Sequence, residues 1–272
     1  MIIPCWNRKQ IVSRAIQSVL NQSLAAAEII VVDDGSDDGT AEMVGQRFPQ
    51  ITLLRQSNKG VSAARNAGIK QAQHQWIALL DSDDEWLPDK LSSQLNALQQ
   101  QPDRRICHTD EIWVRRGKRV NPMQKHAKPD GWIFEQCLPL CCVSPSSVLL
   151  HRSILDDVGL FDESLPACED YDLWLRIFRK YPVVLESHPL LVKYGGHSDQ
   201  LSKKHWGMDR FRVHALVKLL QDGKLNASQR LATVKILRAK CNILIDGFAK
   251  REKHDQAEYY ADICRNWCVD EL

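Results

Sequence analysis

The stretch EIIVVDDGSDDGT, residues Glu28–Thr40, joins a buried strand to the start of a helix. Its first half is a run of apolar, mostly β-branched residues, which is typical of a strand covered on both faces. Its second half is rich in Asp, Gly and Ser, which form turns and cap the N-termini of helices. The stretch therefore predicts a strand over 28–33 and a helix over about 41–47.

The same alternation of strand and helix runs through the first hundred residues. Ile2 and Ile3 form the stub of a strand that Pro4 ends, and apolar residues at helical spacing begin at Ile11. The other elements predicted here are strands over 51–54 and 76–80 and helices over 61–73 and 88–99. Such a series predicts an α/β fold with a mostly parallel sheet flanked by helices, a Rossmann-like nucleotide-binding half.

The second half of the sequence is less regular. The elements predicted there are strands over 106–114, 146–150, 183–185 and 190–194, a helix over 168–178, and helices near 206–221, 226–248 and 254–267. The polar, basic segment 115–131 is interpreted as a loop or short hairpin. We therefore divide the chain into a sheet domain over 1–202, with halves 1–100 and 101–202, and a C-terminal helical extension over 203–272.

The composition is that of an ordinary globular protein. Of the 272 residues 44% are hydrophobic and 26% are charged, which argues against disorder, and the net charge of +2 gives no sign of a nucleic-acid partner. No apolar run reaches the roughly 18 residues that span a bilayer, and no signal peptide is evident. Nine cysteines without a CxxC pair predict reduced, mostly buried thiols in a cytoplasmic protein.

Polar clusters follow three of the predicted parallel strands. They lie at 4–7, 33–36 and 81–84. Ligands of such sheets bind beyond the carboxyl ends of the strands, where these clusters would meet at one rim. The sequence thus predicts a binding site at that rim.

Asp81 and Asp83 are the most informative pair in these clusters. A spacing of two on an extended segment points both carboxylates the same way, where they repel each other unless a proton or a cation lies between them. Carboxylate oxygens suit Mg²⁺ or Mn²⁺, which often share their ligands with a nucleotide diphosphate. The alternative is an acidic turn that caps the helix predicted from Pro88. The two neighbouring polar clusters favour the metal.

Five segments, in this order, carry a resemblance to a known family: IIPCWN, IIVVDDGSDDGT, NKGVSAARNAGI, WIALLDSDDEWLPDKL and ACEDYDLWLRI. Together they resemble the family 2 glycosyltransferases of the GT-A fold over about residues 1–202. The resemblance implies an inverting glycosyltransferase with a UDP-linked nucleotide-sugar donor, Mn²⁺ or Mg²⁺, and a glycan or lipid-linked acceptor. A non-catalytic nucleotide-sugar-binding module and a sugar nucleotidyltransferase remain alternatives.

The resemblance also implies roles for individual residues. Those assigned to the nucleotide are Pro4, Trp6, Asn7, Asp34 (with Asp33 beside it), Asn58, Gly60, Arg65 and Asp81. Those assigned to the metal are Asp81, Asp83 and His197. Trp6 stands where the family usually has Tyr, and an indole can still stack on a base. Arg65 has an alternative role in a salt bridge on the surface of a helix.

Asp170, with Glu169 as a secondary candidate, matches the catalytic base of the resembled family. Inverting sugar transfer needs a carboxylate that accepts the proton of the acceptor hydroxyl. The alternative is simple N-terminal helix charge. Trp132, Trp174 and the basic loop 115–119 could contact the acceptor, but the helical spacing of Trp174 favours a place in the core, and such a loop is more often only solvated. For the C-terminal helices we expect core packing against the sheet domain, with a packed lid, a homo-oligomer surface or peripheral association with the inner face of the membrane as alternatives.

Overall fold

The computed structural model describes residues 1–121, 123, 126–196 and 205–268. The strands are β1 (Ile2–Cys5), β2 (Ile30–Asp33), β3 (Thr52–Arg55), β4 (Trp76–Ala78), β5 (Glu85–Trp86), β6 (Ile106–Arg115), β7 (Lys118–Val120), β8 (Val148–His151) and β9 (Val184–Gly195). The helices are α1 (Val12–Leu20), α2 (Thr40–Arg47), α3 (Val61–Gln71), α4 (Lys90–Gln99), α5 (Phe134–Cys137), α6 (Arg152–Val158), α7 (Glu169–Phe178), α8 (Asp209–Gln221), α9 (Ala227–Ala249) and α10 (His254–Trp267).

The first half is the predicted parallel sheet. Strands β1, β2 and β3 pair in that order, all parallel, and β1 and β2 are buried along their whole length. A parallel bridge from Ile2 to Leu79 joins this sheet to the second one, and the Leu80 amide donates to the Ile2 carbonyl (3.0 Å). The sheet is therefore continuous from β3 to the strands of the second half.

The prediction that Pro4 ends the first strand is wrong. Strand β1 runs through Pro4 to Cys5, and Pro4 pairs in register with Val32. Pro4 has no backbone N–H to donate, but the next hydrogen bond between these strands still forms, from the Asp34 amide to the Cys5 carbonyl (2.8 Å). A missing donor at one position is therefore tolerated by this parallel pair.

The second half is a mixed sheet in the order β4-β8-β6-β9-β5, with β7 on β6. Strands β6 and β9 are parallel, whereas β8 is antiparallel to both of its neighbours. The two short strands predicted at 183–185 and 190–194 form one strand, β9. Its register shifts at a bulge opposite Asp110, and the exposed residues 187–189 interrupt the apolar pattern there.

The C-terminal helices share the core of the sheet domain. Trp174 of α7, Leu216 of α8 and Leu237 of α9 belong to one cluster of buried apolar side chains. Trp174 is 1% exposed, which confirms the place in the core that its helical spacing favours and excludes a contact with the acceptor. In the described part of the chain no helix combines the length and apolarity needed to cross a membrane. The domain boundary at 202 falls among residues outside the described ranges and stays a prediction.

Two cysteines depart from the expectation of reduced thiols. Cys137 and Cys142 form a disulfide whose Cα atoms are 5.5 Å apart, while the other seven cysteines are free. The pair escaped sequence analysis because a spacing of five matches no common motif. The disulfide closes the short segment that runs from the end of α5 to Cys142, the residue after Cys141.

Candidate active site

The loop after β2 is organised by its two aspartates. Asp33 is fully buried and accepts a hydrogen bond from the Ser36 amide (3.0 Å). Asp34 accepts hydrogen bonds from the backbone amides of Lys59 (2.9 Å) and Gly60 (2.8 Å) and from the Gln56 side chain (2.7 Å). Asp34 thus ties the loop after β2 to the loop that precedes α3.

Gly60 has backbone freedom that its position requires. Its φ of 91° lies in the region that favours glycine, and a Cβ at this position would meet no atom within 4 Å. The backbone is therefore open on that side and can be approached by a ligand. Asn58, two residues earlier, is exposed in the same loop. Both residues lie where a nucleotide contact is predicted, and those roles stay predictions.

The segment after β1 faces the same loop. Asn7 has a φ of 52°, its amide donates to the Ser36 hydroxyl (2.9 Å), and its side-chain oxygen accepts from the Asp37 amide (3.0 Å). The neighbouring Trp6 is 46% exposed, whereas Pro4 is buried in β1. The structure therefore brings an exposed indole and a rigid polar loop together at this rim.

Arg65 connects the two halves of the site. It lies on α3 and is 3% exposed. Its guanidinium donates to Asp81 Oδ1 and to Glu169 Oε1, each at 2.7 Å, and lies 5.1 Å from the centre of the Phe161 ring. This is a buried double ion pair and not the surface salt bridge considered from the sequence. The Arg65 side chain thus bridges Asp81, which is predicted to bind the donor, and Glu169, the neighbour of the predicted base.

The pKa values of the two carboxylates that contact Arg65 are shifted in opposite directions. Burial opposes ionisation of Asp81, but the charge and hydrogen bond of Arg65 outweigh burial and hold the pKa of Asp81 below its usual value. Burial and the nearby Asp170 charge raise the pKa of Glu169 despite its contact with Arg65. Asp81 is therefore held as an anion at the rim.

The other acids of the cluster have separate surroundings. Asp83 is half-buried, and the Arg14 guanidinium donates to its carbonyl (2.6 Å). Asp84 is buried and accepts from the Ser146 hydroxyl (2.7 Å), which itself accepts from the Asp81 amide (3.0 Å). Burial raises the pKa of Asp84 to about 8, helped by the charges of Asp81 and Asp83. The pKa values of Asp81 and Asp84, which belong to one loop, are thus shifted in opposite directions.

Lys193 is a cation of this site that the sequence analysis missed. It lies near the end of β9, where the charges of Glu111, Asp84, Asp81 and Asp170 together raise its pKa against the effect of burial. Lys193 and Lys128 in turn lower the pKa of the buried Glu111 to about 2. Charged residues at 111 and 193, inside predicted strands, were the signal that could have pointed to this cluster.

The predicted base, Asp170, begins the first turn of α7. Its Oδ1 accepts from the Tyr171 amide (2.7 Å), and its Oδ2 lies 3.4 Å from the Cys141 thiol. Burial and the Asp170 carboxylate raise the pKa of Cys141 well above the usual thiol value, so this side chain stays protonated. The half-buried Asp170 is therefore accessible at the rim that also holds Asp81 and Lys193.

The donor set for a metal at this rim consists of carboxylates. Asp81 and Asp83 would supply oxygen ligands, which fit Mg²⁺ or Mn²⁺ better than zinc. The described residues contain no group of three or more His, Cys, Asp and Glu side chains that could hold a metal ion, so water and diphosphate would complete the set. His197, the third predicted metal ligand, lies outside the described residues.

Other residues considered for the acceptor are more dispersed. Trp132 is 62% exposed and lines a cavity of about 750 Å³ with α5 and the start of α9. The basic loop 115–119 is the turn of the hairpin between β6 and β7. Neither is in hydrogen-bond contact with Asp170 in the described part of the structure, so their contact with an acceptor stays a prediction.

Comparison with known families identifies the family of this chain. The model of the family described as Glycosyl transferase family 2 matches residues 1–159. The chain belongs to this family. An uncharacterized glycosyltransferase of Rickettsia conorii is 34% identical over 75% of this chain and 35% of its own length. The chain spans about a third to two thirds of the length of the Rickettsia relatives that it matches.

A second relative has a more specific name. The UDP-Glc:alpha-D-GlcNAc-diphosphoundecaprenol beta-1,3-glucosyltransferase WfgD of Escherichia coli is 31% identical over 66% of this family 2 chain and 69% of its own length. The C-terminal helices α8 to α10 lie beyond the residues that the family model matches.

Solved structures share the GT-A fold of this family 2 chain. Residues 1–349 of Staphylococcus aureus TarS, in complex with UDP-GlcNAc, give a TM-score of 0.65 at 16% identity and cover 97% of this chain and 90% of their own. The mannosyltransferase PcManGT of Pyrobaculum calidifontis, in complex with GDP-Man and Mn²⁺, gives 0.61 at 17% identity and covers 99% and 87%. The predicted fold class is confirmed.

Proposed function

We propose that this chain is an inverting glycosyltransferase that moves a sugar from a UDP-linked donor to a glycan or lipid-linked acceptor. The observation that carries the proposal is the Arg65 ion pair, which brings Asp81 of the donor side next to Glu169 and Asp170. A transfer reaction requires the two reactants to meet at one place. The name of the E. coli relative, with UDP-Glc and a diphosphoundecaprenol-linked sugar, supports the same donor and acceptor classes.

The donor would bind at the rim of β1 and β2. The exposed ring of Trp6 is available to stack on the base, and the loop that contains Asn7 and Asp34 is already held by hydrogen bonds. The backbone at Gly60 is open to a ligand. A site organised before binding loses less conformational entropy when the nucleotide arrives.

The transfer step uses Asp170. The acceptor hydroxyl oxygen forms a bond to the anomeric carbon of the donor, and its proton passes to the Asp170 carboxylate. The bond from that carbon to the diphosphate breaks, and the nucleoside diphosphate leaves with the electron pair. A single displacement inverts the anomeric centre. Glu169 is held by Arg65, so Asp170 is the carboxylate left to accept the proton.

Asp81 and Asp83, with His197 as a further predicted ligand, would hold Mn²⁺ or Mg²⁺. Such an ion, when bound, supplies positive charge to the diphosphate. Lys193 lies among the same acids and offers a second positive charge at the rim. The predicted location at the inner face of the membrane and a homo-oligomeric state stay predictions.

Loss of the base tests the proposed chemistry. We expect Asp170→Asn to lower the rate of transfer by about 100-fold to 10,000-fold, because an amide cannot accept the proton. UDP release is measured with UDP-glucose and N-acetylglucosamine linked to undecaprenyl diphosphate. Asp103→Asn, which changes an exposed acid on the loop before β6, should leave the rate unchanged. A normal rate in the Asp170 variant would contradict the role of the base.

Loss of a metal ligand tests the donor site separately. We expect UDP with Mn²⁺ to raise the melting temperature of the protein, since a ligand that binds only the folded state stabilises it. Asp83→Ala should remove the part of the shift that depends on Mn²⁺, and Asp103→Ala should keep it. A metal-dependent shift that persists in Asp83→Ala would place the metal elsewhere.

A further inference from the structure

The helical extension carries a cluster of aromatic and cationic side chains with two exposed rings. We call Trp206, Arg210, Phe248, Lys253, Tyr259 and Tyr260 the Trp206 patch. Phe248 and Tyr260 are buried and stacked, with ring centres 5.6 Å apart and planes 11° apart. Trp206 meets Phe248 edge to face at 5.6 Å, and Tyr259 meets Tyr260 at 5.0 Å. Two exposed rings therefore stand on a buried aromatic base.

Cations surround these rings. The Arg210 guanidinium lies 4.3 Å from the centre of the Trp206 ring and donates to the Trp206 carbonyl (2.9 Å). The Lys253 ammonium lies 5.9 Å from the same ring. Lys250 and Arg251 are exposed at the turn that precedes Lys253. The exposed indole is thus fixed in place with positive charge on several sides.

The charge of the whole extension has the same sign. Residues 205–268 contain twelve Lys and Arg and seven Asp and Glu, although the entire chain has a net charge of only +2. The acids Glu252 and Asp255 lie near the patch but are outnumbered by the cations around them. The remainder of the chain is consequently acidic on balance, and the extension is its basic part.

The patch lies near the N-terminal end of α7, where Asp170 is. The Cys168 thiol, two residues before Asp170, contacts the Met208 carbonyl at 3.8 Å. Met208 is two residues from Trp206, a distance of at most about 7.6 Å between their Cα atoms. A surface that binds through Trp206 would therefore lie next to the end of α7 that carries the proposed base.

We propose that the Trp206 patch docks this protein onto the surface of a bilayer that contains anionic lipids. Trp and Tyr side chains favour the interface between headgroups and acyl chains, and each Lys or Arg near an anionic surface adds about 1 kcal/mol of attraction. The exposed Trp206 and Tyr259 are 53% and 59% accessible, and the cations beside them complement such a surface. The link to a lipid-linked acceptor rests on the proposed function, whereas docking itself does not.

Co-sedimentation of the full chain with vesicles tests the docking. Vesicles of equimolar phosphatidylcholine and phosphatidylglycerol should bind the protein, and vesicles of phosphatidylcholine alone should bind it much less. Lys253→Gln should weaken binding about fivefold, the equivalent of one lost cation. Trp206→Ala and Tyr259→Ser should each weaken it roughly tenfold, because an apolar ring no longer leaves water.

Trp132→Ala is the matched control. Trp132 is more exposed than Trp206 but lines a different cavity, so its loss should leave vesicle binding unchanged. Tyr259 and Lys253 are exposed, so their variants keep the test valid if Trp206→Ala unfolds. Equal binding to both kinds of vesicle, or equal losses in the Trp132 and Trp206 variants, would overturn the proposal. The proposal would also be overturned if variants of the patch changed only the oligomeric state in size-exclusion chromatography.

These measurements distinguish a failure of the docking proposal from a failure of the proposed function. A protein that gives the thermal shift with UDP and Mn²⁺ but ignores anionic vesicles would overturn the docking surface alone. A protein that binds those vesicles but neither shifts with UDP nor releases it would overturn the proposed function alone.

Discussion

The two parts of the candidate site are held together by different forces. Around β1 and β2, Asp33 and Asp34 accept hydrogen bonds from backbone amides of nearby loops. Around β4, β6 and β9, the acids are balanced by the side chains of Arg65 and Lys193, which come from distant parts of the sequence. The first rim is therefore fixed by backbone geometry and the second by a balance of buried charges.

This difference predicts how each rim responds to change. A single substitution at the first rim removes the hydrogen bonds of one acceptor, and each such change lowers the free energy of unfolding by a moderate amount. Buried ion pairs fail together, because removal of one partner leaves an uncompensated charge in a poorly solvated place. The second rim should accordingly be the more sensitive to single charge substitutions and to pH.

The largest effect is expected when the shared cation is removed. Arg65→Met keeps an unbranched apolar stem but removes the guanidinium and leaves Glu169 and Asp81 without their partner, which should lower the free energy of unfolding by about 3–5 kcal/mol. Urea denaturation at neutral pH measures the loss. Arg55→Met is the matched control, because Arg55 forms an exposed ion pair with Glu42 that water screens, so its loss should change stability little. Similar losses in the two variants would show that the second rim is not held by buried charge.

A smaller effect is expected at the first rim. Asp34→Ala leaves the amides of Lys59 and Gly60 without their acceptor and should lower the free energy of unfolding by about 1–3 kcal/mol. UDP affinity, measured by calorimetry, should fall with it because the loop before α3 loses its tie to β2. Asp37→Ala changes a neighbouring exposed acid and should alter stability by no more than about 0.5 kcal/mol. A loss for Asp34→Ala as large as that for Arg65→Met would remove the contrast between the rims.

The first rim was largely predictable from sequence, because its signals are local. The turn residues Asp33 to Thr40 directly follow the β-branched strand that they terminate. The helical periods of α1, α3 and α7 gave their positions to within about two residues, the usual precision for such boundaries. The polar residues of the first rim could therefore be placed at the end of a strand before their partners were known.

The second rim was not predictable in the same way. The partners of Arg65 are 16 and 104 residues away, and no local pattern reports a contact of that range. Glu111 and Lys193 come together only because β6 and β9 are parallel neighbours, and the bulge in β9 hid that pairing. The Cys137–Cys142 disulfide likewise depends on a turn that the spacing alone does not specify.

The pH dependence of stability tests the contribution of Asp84 to the charge balance of the second rim. Its pKa is about 8 in the folded protein, mainly because of burial, against 3.8 for the ordinary group. Between these values the folded state holds a proton that the unfolded state has released. The contribution of Asp84 is therefore fully present below about pH 4 and is lost as the pH rises toward 8.

Asp84→Asn should abolish this part of the pH dependence. An amide, like the protonated acid, carries no charge, and its oxygen can still accept the hydrogen bond that the Tyr194 amide donates to Asp84 (3.3 Å). Within the window, the stability of the wild-type protein should fall by up to roughly 1.4 kcal/mol per pH unit relative to the variant. Denaturant titrations between about pH 5 and pH 8 measure both slopes, and Asp103→Asn controls for the loss of an exposed acid. Parallel slopes for the wild type and Asp84→Asn would mean that Asp84 ionises normally. In that case Lys193, not burial, would dominate the second rim.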